Sequence, residues 1–324
     1  MNHGPVNSNG FTFDDKILAD ADVQSAIASH KSARKSYQIT NTDRSSFSRI
    51  SGVLAQKYGD AGFKGRLQFD LTGASGQSFC AFLGQGMEVT LSGYANDYVG
   101  KGMAGGKITV RPPSSDLATV TKAGFSMVGN TVLYGATGGE LFVRGRGGER
   151  FAVRNSGATG VIEGLGDHGC EYMTAGYIIN LGSTGRNFGA GMTGGLAFIL
   201  PDEEWMEQGA SKTFADDSLA SFSAFVNTET VSVKKLTASN ANAVAFLRSH
   251  LERHVQETGS RRATFLLSNF DRAIEKFLVV VPASEKSNPL LSEVSEWINT
   301  CSRLHSWVVY IECFLITFSA SLTL

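Results

Sequence analysis

The distribution of glycine limits the folds open to this chain more than any other feature. Of the 37 glycines in 324 residues, 27 lie between Gly84 and Gly195. Glycine suits tight corners because it adopts positive φ without a Cβ clash, and it lets neighbouring backbones approach closely. Only six prolines are present, which excludes collagen and proline-rich low complexity. The middle of the chain is therefore a distinct region between two flanks of ordinary composition.

Short apolar runs alternate with glycine clusters through this middle region, and no helical period lies between them. The runs fall at 89–91, 108–110, 132–134, 141–143, 151–153, 160–162, 178–179 and 198–200. Residues 100–110 also align with 189–199 at an offset of 89, with five identical positions. Units of this kind cannot bury their own apolar face and must stack on their neighbours. The pattern predicts a β-solenoid with glycine at its corners.

The flanks predict helices. Residues 14–27 and 50–58 carry short helical patterns, with Gly59 as the end of the second, and 67–71 alternate as a half-buried strand. Residues from about 240 to 278 predict two helices, the first capped by Asn240 and ended by Gly259. We expect an N-terminal arm at 1–65, the solenoid at 66–200, a helical segment at 201–290 and a tail at 291–324.

Two stretches satisfy the dinucleotide-binding fingerprint G-x-G-x-x-G, namely Gly100-x-Gly102-x-x-Gly105 and Gly189-x-Gly191-x-x-Gly194. That fingerprint needs a preceding strand and a following helix, whose N-terminus holds the pyrophosphate. Here each copy is followed by a predicted strand. We interpret both as solenoid corners.

Two charged groups are the other candidate sites. Asp167, His168, Cys170 and Glu171 could ligate a metal or form a Cys-His pair, but neighbouring side chains on an extended segment point to opposite faces, and a structural turn is favoured. The second group lies beside Glu140 and Glu149 and could form a phosphate or polysaccharide groove. A charge-paired outer face or a protein interface is favoured for its four arginines, Arg144, Arg146, Arg150 and Arg154.

Charge and cysteine content exclude several classes of function. The 29 basic and 30 acidic residues leave no excess positive charge for nucleic acid or acidic lipid. The four cysteines have no zinc, iron–sulfur or disulfide spacing, which fits a reducing compartment. The polar first ten residues and the lack of any Asn-x-Ser/Thr site argue against secretion. We expect a cytoplasmic or plastid location, with neither nucleic acid nor a membrane as partner.

Several long motifs occur in one order along the chain. They are Gly76-Gln-Ser-Phe79, Gly93-Tyr-Ala-Asn-Asp-Tyr-Val-Gly-Lys-Gly102, Gly129-Asn-Thr-Val-Leu-Tyr-Gly-Ala136, Glu149-Arg-Phe-Ala-Val-Arg-Asn-Ser-Gly157, Gly166-Asp-His-Gly-Cys-Glu-Tyr-Met173 and Gly185-Arg-Asn-Phe188. With Asn41-Thr-Asp-Arg44 and His254-Val-Gln-Glu-Thr-Gly259, they resemble the C-terminal GXGXG domain of the glutamate synthase large subunit, from about residue 13 to 282.

The resemblance implies a right-handed parallel β-helix within an enzyme that makes glutamate from glutamine and 2-oxoglutarate, using FMN and a 3Fe-4S cluster. It implies glutaminase and FMN-binding synthase domains as partners, and an NAD(P)H- and FAD-bearing small subunit or domain as a further one. In that family the catalytic and cofactor-binding residues lie outside the GXGXG domain. We therefore assign no catalytic, cofactor-binding or metal residue here, and expect a scaffold domain that is inactive by itself.

Two other classes stay open at this point. One is a GXGXG scaffold subunit like that of formylmethanofuran dehydrogenase, which should lack the arm and the His254 helix. The other is a free-standing β-helix that binds or cleaves polysaccharide. The apolar run 307–318 departs from the family pattern, and at 12 residues it is shorter than a membrane span. We interpret it as a tail foreign to the family, while a tail anchor is the alternative.

Overall fold

Ten strands form one sheet in a computed structural model that describes residues 10–113, 125–201 and 218–292. The spatial order is β1-β2-β3-β4-β5-β6-β7-β8-β10-β9. Strands β1 to β8 pair in parallel, and β10 lies antiparallel between β8 and β9. The strands are β1 Ser32–Ile39, β2 Arg66–Ser75, β3 Met87–Ala95, β4 Ala104–Arg111, β5 Gly138–Val143, β6 Ser156–Ile162, β7 Ala175–Asn180, β8 Leu196–Ile199, β9 Val231–Lys235 and β10 Leu278–Pro282.

Seven α-helices lie in the described parts of the chain. They are α1 Phe13–Leu18, α2 Ala21–Ser29, α3 Ser48–Tyr58, α4 Ser218–Ser223, α5 Ala241–Thr258, α6 Arg261–Ser268 and α7 Phe270–Ile274. The predicted ends at Gly59 and Gly259 are confirmed, since both glycines adopt positive φ just after a helix. The second C-terminal helix was predicted as one element and is two, because Asn269 leaves helical geometry with φ of -127°.

Asp20 splits the first predicted helical pattern into α1 and α2, since its side chain accepts the backbone N–H groups of Asp22 and Val23. The start of α3 is capped from outside its own sequence. Its first flanking residue, Phe47, has left-handed geometry and offers no side-chain cap. The carboxylate of Asp14 accepts the backbone N–H of Phe47 at 2.6 Å and of Arg49 at 2.9 Å. This buried contact holds the arm together.

Strands β2 to β8 are connected through segments in which every second residue is left-handed. In the first segment Ser78, Cys80 and Phe82 have φ of 62°, 56° and 57°, and two overlapping turns close through Ala81 N to Ser78 O and Leu83 N to Cys80 O. The same pattern recurs every 18 to 20 residues, apart from one longer interval between Tyr98 and Thr131. We call the six segments the turn wall: residues 78–83, 98–103, 131–136, 150–155, 168–173 and 187–192.

We call one strand together with the turn segment that follows it a coil. Hydrogen bonds join the turn wall from one coil to the next, as they join the strands. The outer left-handed residues donate to the following coil, for example Phe82 N to Lys101 O at 2.7 Å. The middle one donates to the preceding coil, for example Gly100 N to Phe79 O at 2.9 Å. A left-handed non-glycine residue costs about 1–2 kcal/mol. The coil-to-coil hydrogen bonds offset that cost, because an unpaired buried N–H would cost a similar amount.

Two apolar runs predicted as strands, 132–134 and 151–153, belong to the turn wall. Their residues are buried as expected, apart from the half-buried Tyr134, but Leu133 and Ala152 have φ of 59° and 60°. The apolar pattern indicates burial, but it does not distinguish an extended backbone from overlapping turns. The structural unit is therefore one strand plus one turn segment, and the offset of 89 spans several such units.

The outward side of the sheet changes character half-way across. One row in register reads Ser36, Asp70, Thr90 and Thr109 over β1 to β4. The same row continues as Phe142, Val161, Ile179 and Phe198 over β5 to β8. Helices α5, α6 and α7 pack on this apolar half and form a second core with it. The inward sides of the strands and the turn wall enclose the main core.

The observed fold is mainly β, with a parallel-rich and open sheet, an N-terminal helical arm and C-terminal helices. The division at 65, 200 and 290 stays a prediction, and the single sheet runs across the first two of these positions, because β1 comes from the arm and β9 and β10 follow residue 200. The apolar run 307–318 lies outside the described residues.

Candidate functional site

The two G-x-G-x-x-G copies are corners of the turn wall, as expected. Gly102 and Gly191 have φ of 62° and 65°, and strands β4 and β8 follow them directly. A pyrophosphate is bound by the N-terminus of the helix that follows such a glycine cluster, and here a strand takes the place of that helix in both copies. Both copies are therefore corners that lead into strands, as interpreted from the sequence.

The acidic, imidazole and thiol group at 167–171 is divided among separate structural tasks. Asp167 Oδ1 accepts the backbone N–H of Arg186 at 2.8 Å, and this bond lowers the pKa of that carboxyl. Cys170 is fully buried, and burial raises the pKa of its thiol. His168 Nδ1 lies 3.4 Å from Glu171 Oε1. Within the described ranges, no three His, Cys, Asp or Glu side chains form a group that could hold a metal.

The four arginines of the central coils do not form a common groove. Arg144 is buried, and its Nη1 donates to Thr258 O at 3.5 Å, at the end of α5. Burial lowers the pKa of this guanidinium. Arg150 and Arg154 are exposed residues of the turn wall, and both have left-handed backbone geometry. The predicted arginine cluster is therefore split between a helix contact and an outer surface.

A ladder of polar side chains runs beside the turn wall. Asp97 Oδ1 accepts from Asn130 N at 2.7 Å, and Asn130 Oδ1 accepts from Glu149 N at 2.8 Å, one coil further along. A Cβ on Gly129 or on Gly148 would lie 2.2 Å from the accepting oxygen of the preceding coil. Glycine is needed at these positions because it leaves room for the neighbouring side chain.

Sequence reasoning missed this ladder although a signal was present. A glycine followed by a polar residue recurs with a spacing of 18 or 19 at Gly129-Asn130, Gly148-Glu149, Gly166-Asp167 and Gly185-Arg186. Aligning the chain on those dipeptides would have given the true repeat length.

The helices are fixed to the sheet by a polar group that we call the helix clasp: Glu163, His254, Ser260 and Arg262. Glu163 Oε1 accepts from Ser260 Oγ, the cap of α6, and lies 3.3 Å from Nε2 of the fully buried His254 on α5. Burial is the largest effect on the Glu163 carboxyl and raises its pKa. The hydrogen bonds from His254 and Ser260 and the charges of His254 and Arg262 together leave that pKa below its ordinary value.

The uncovered polar half of the sheet holds a groove of about 180 Å³ beside the end of α5. Its charges alternate: Arg66 pairs with Glu88 at 2.7 Å, Glu88 lies 3.5 Å from Lys107, and Lys107 contacts Glu257. The charges of these four residues neutralise one another, and Arg34 and Asp70 in the same groove form a further pair.

The amino-acid sequence of this chain matches one known family. The family described as GXGXG motif matches residues 14–283, which is most of the chain. The chain belongs to the GXGXG family. The match includes the arm and the His254 helix as well as the glycine-rich coils.

Curated relatives of this GXGXG chain are ferredoxin-dependent glutamate synthases. The chain is 47% identical over 290 residues to ferredoxin-dependent glutamate synthase 2 of Synechocystis sp., which covers 89% of this chain and 17% of that protein. It is 45% identical over 291 residues to the chloroplastic enzyme of Spinacia oleracea, covering 90% of this chain and again 17% of the relative. The chain therefore spans about one sixth of the length of the relatives it matches.

The relatives from Spinacia oleracea and Arabidopsis thaliana are named as chloroplastic. In the part of the chain that the structure describes, no helix is both long enough and apolar enough to cross a membrane.

Proposed function

We propose that this chain is the structural support region of a glutamate synthase, which holds catalytic domains at fixed positions. The observation that carries the proposal is the family match over residues 14–283 together with relatives of one activity. The double set of coil-to-coil hydrogen bonds supports it physically, because such a stack resists bending and sliding.

We propose further that the coils close into a right-handed β-helix. Each strand leads into a turn segment and then into the next parallel strand, and connections between parallel strands are right-handed in almost all proteins. The corner glycines fit this closure. Gly106 and Gly195 are left-handed, with φ of 76° and 78°, while a Cβ on Gly194 would lie 2.0 Å from Thr174 O.

The chemistry of the complete enzyme belongs, in this proposal, to residues outside this chain. Two of the four cysteines, Cys80 and Cys170, are buried in separate coils, which does not fit a cluster held by several thiolates. The glutaminase and FMN-binding synthase domains are the proposed partners, and an organellar or cytoplasmic interior is the proposed location.

A chimeric enzyme tests this function. The region of the Synechocystis enzyme that aligns with residues 14–283 of this chain is replaced by those residues, and glutamate formation from glutamine and 2-oxoglutarate is measured with reduced ferredoxin. We expect activity within about tenfold of the parent, because the support region touches none of the reacting atoms. A folded chimera without glutamate formation, beside an active parent enzyme, would reject the proposal. The 324-residue chain by itself should form no glutamate.

A further inference from the structure

The outer surface of the turn wall carries exposed aromatic rings that are held in place. Phe82 and Tyr172 are 59% and 54% exposed. The edge of each ring occupies the place of a missing Cβ in the next coil: a Cβ on Gly102 would lie 2.7 Å from Phe82, and one on Gly191 would lie 2.5 Å from Tyr172. The two rings lie four coils apart, roughly 20 Å along the stack at about 4.8 Å per coil. Both rings are therefore fixed before any partner binds.

Unpaired cations lie between these rings. Arg150 and Arg154 are exposed and make no ion pair among the described residues, and Lys101 Nζ lies 5.4 Å from the ring centroid of Tyr98 without a carboxylate partner. Some cations elsewhere in the chain are neutralised, since Arg66 and Arg253 each pair with a glutamate. Arg150 and Arg154 therefore remain available to an acidic partner, although Glu149 and Glu171 lie in or beside the same turn segments.

Gly135 lies in the middle of this surface, with open space beside its Cα. Its position in the turn wall matches those of Gly102 and Arg154 in the coils on either side. No atom lies within 4 Å of a Cβ built on Gly135, in contrast to Gly102 and Gly191. Glycine here is not explained by packing, and its φ of 62° is open to asparagine as well. We call Phe82, Tyr98, Lys101, Gly135, Arg150, Arg154 and Tyr172 the aromatic–arginine face.

We propose that the aromatic–arginine face docks a carboxylate-bearing protein surface in the remainder of the longer glutamate synthase polypeptide. Rigid aromatic rings with arginines between them have the composition of interface centres, and the unpaired cations call for acidic partner groups. The relatives carry about five sixths of their length outside the matched region, which supplies a covalently linked occupant. The inference rests on the proposed function and adds which side of the stack is covered.

Arginine-specific labelling with phenylglyoxal tests the docking. Labelling rates of Arg150 and Arg154 are measured by mass spectrometry in the 324-residue chain and in the active chimera. We expect labelling to be at least about tenfold slower in the chimera, because a docked side chain loses solvent access. Equal rates in an active chimera would overturn the proposal and leave the proposed function standing. A chimera that folds and protects both arginines but forms no glutamate would reject the function alone.

Variants give the second readout. The change Arg150→Asp with Arg154→Asp reverses the charge, and aspartate tolerates left-handed φ. Lys31→Asp with Lys64→Asp is the matched control, because both lysines are exposed, make no ion pair among the described residues and lie outside the turn wall. The first pair should lower coupled glutamate formation by at least about fivefold and the control by less than about twofold. Equal effects of the two pairs would contradict the proposal.

Gly135→Asn adds a side chain to this surface, and its Cβ meets no atom within 4 Å, so it should weaken coupling while leaving the melting temperature of the isolated chain nearly unchanged. Polygalacturonate is added to the isolated chain as a last probe. Protection of Arg150 and Arg154 by this acidic polysaccharide, without protection in the chimera, would assign the face to carbohydrate and overturn the protein-docking proposal.

Discussion

Replacing Glu163 by alanine should remove the helix clasp and loosen α5 and α6 from the sheet. Glu163 is 13% exposed at its side chain, while His254 is fully buried, so neither group can exchange its partner for water at low cost. The other ring nitrogen of His254, Nδ1, already lacks a hydrogen-bond partner among the residues that the structure describes. Breaking a buried charged contact of this kind costs about 3 kcal/mol or more. The substitution should therefore be among the most destabilising in the chain.

Glu140→Ala is the matched control. Glu140 lies on β5 on the same side of the sheet and pairs with Arg253, the residue before His254, but the two side chains are 31% and 36% exposed. A pair of that exposure contributes at most about 1 kcal/mol. Thermal unfolding of the 324-residue chain, followed by circular dichroism, should show a melting temperature lower by about 6 °C or more for Glu163→Ala and by less than about 3 °C for the control. Equal shifts would refute the clasp.

The clasp also predicts a pH dependence. Because the pKa of Glu163 is lowered on folding, its contribution is complete above its unfolded pKa of about 4.3 and is lost as the pH falls through the folded value. The stability difference between the native chain and Glu163→Gln should therefore shrink as the pH is lowered below about 4. A difference that stays constant from pH 7 to the acid limit would show that the charge of Glu163 contributes nothing.

Three further predictions follow from the coils and the arm. Gly129→Ala should lower the free energy of unfolding by about 1–3 kcal/mol through its clash with Asp97, whereas Gly52→Ala, in α3 with open space around it, should raise it by up to about 1 kcal/mol; urea unfolding of both variants checks the opposite signs. Asp14→Ala should cost about 1–2 kcal/mol by uncapping α3, measured the same way, and a neutral result would contradict the external cap. Maleimide should label Cys80 and Cys170 only as fast as the chain unfolds, since both thiols are buried with raised pKa; rapid labelling of either in native buffer, located by mass spectrometry, would contradict their burial.

The mainly β class and the parallel order of the strands could be predicted from the sequence because burial and glycine corners are local signals. Alternation of apolar residues located β2 and β3, whose burial alternates along their length. It misassigned 132–134 and 151–153, because overlapping left-handed turns bury apolar side chains as completely as strands do. Nothing local indicated β1, which is only half-buried and pairs with β2 across an intervening helix.

The candidate surfaces were harder to predict than the fold. The helix clasp joins Glu163 to His254, residues 91 positions apart, and such a contact has no sequence period. The aromatic–arginine face depends on which coil follows which, since Phe82 and Tyr172 are recognised only through the glycines on which their rings lie. Four arginines close in sequence suggested one cluster. In the structure Arg144 is buried against the end of α5, whereas Arg150 is exposed on the turn wall.

The proposed support role predicts that a chimera carrying Gly194→Val loses the coupling between glutamine hydrolysis and glutamate formation. A Cβ on Gly194 would lie 2.0 Å from Thr174 O in the preceding coil, so valine must displace the stack. The measurement is glutamine hydrolysed against 2-oxoglutarate consumed. We predict equal amounts in the unsubstituted chimera and an excess of glutamine hydrolysis, with lower thermal stability, in Gly194→Val. Equal amounts in a variant of unchanged melting temperature would contradict the support role.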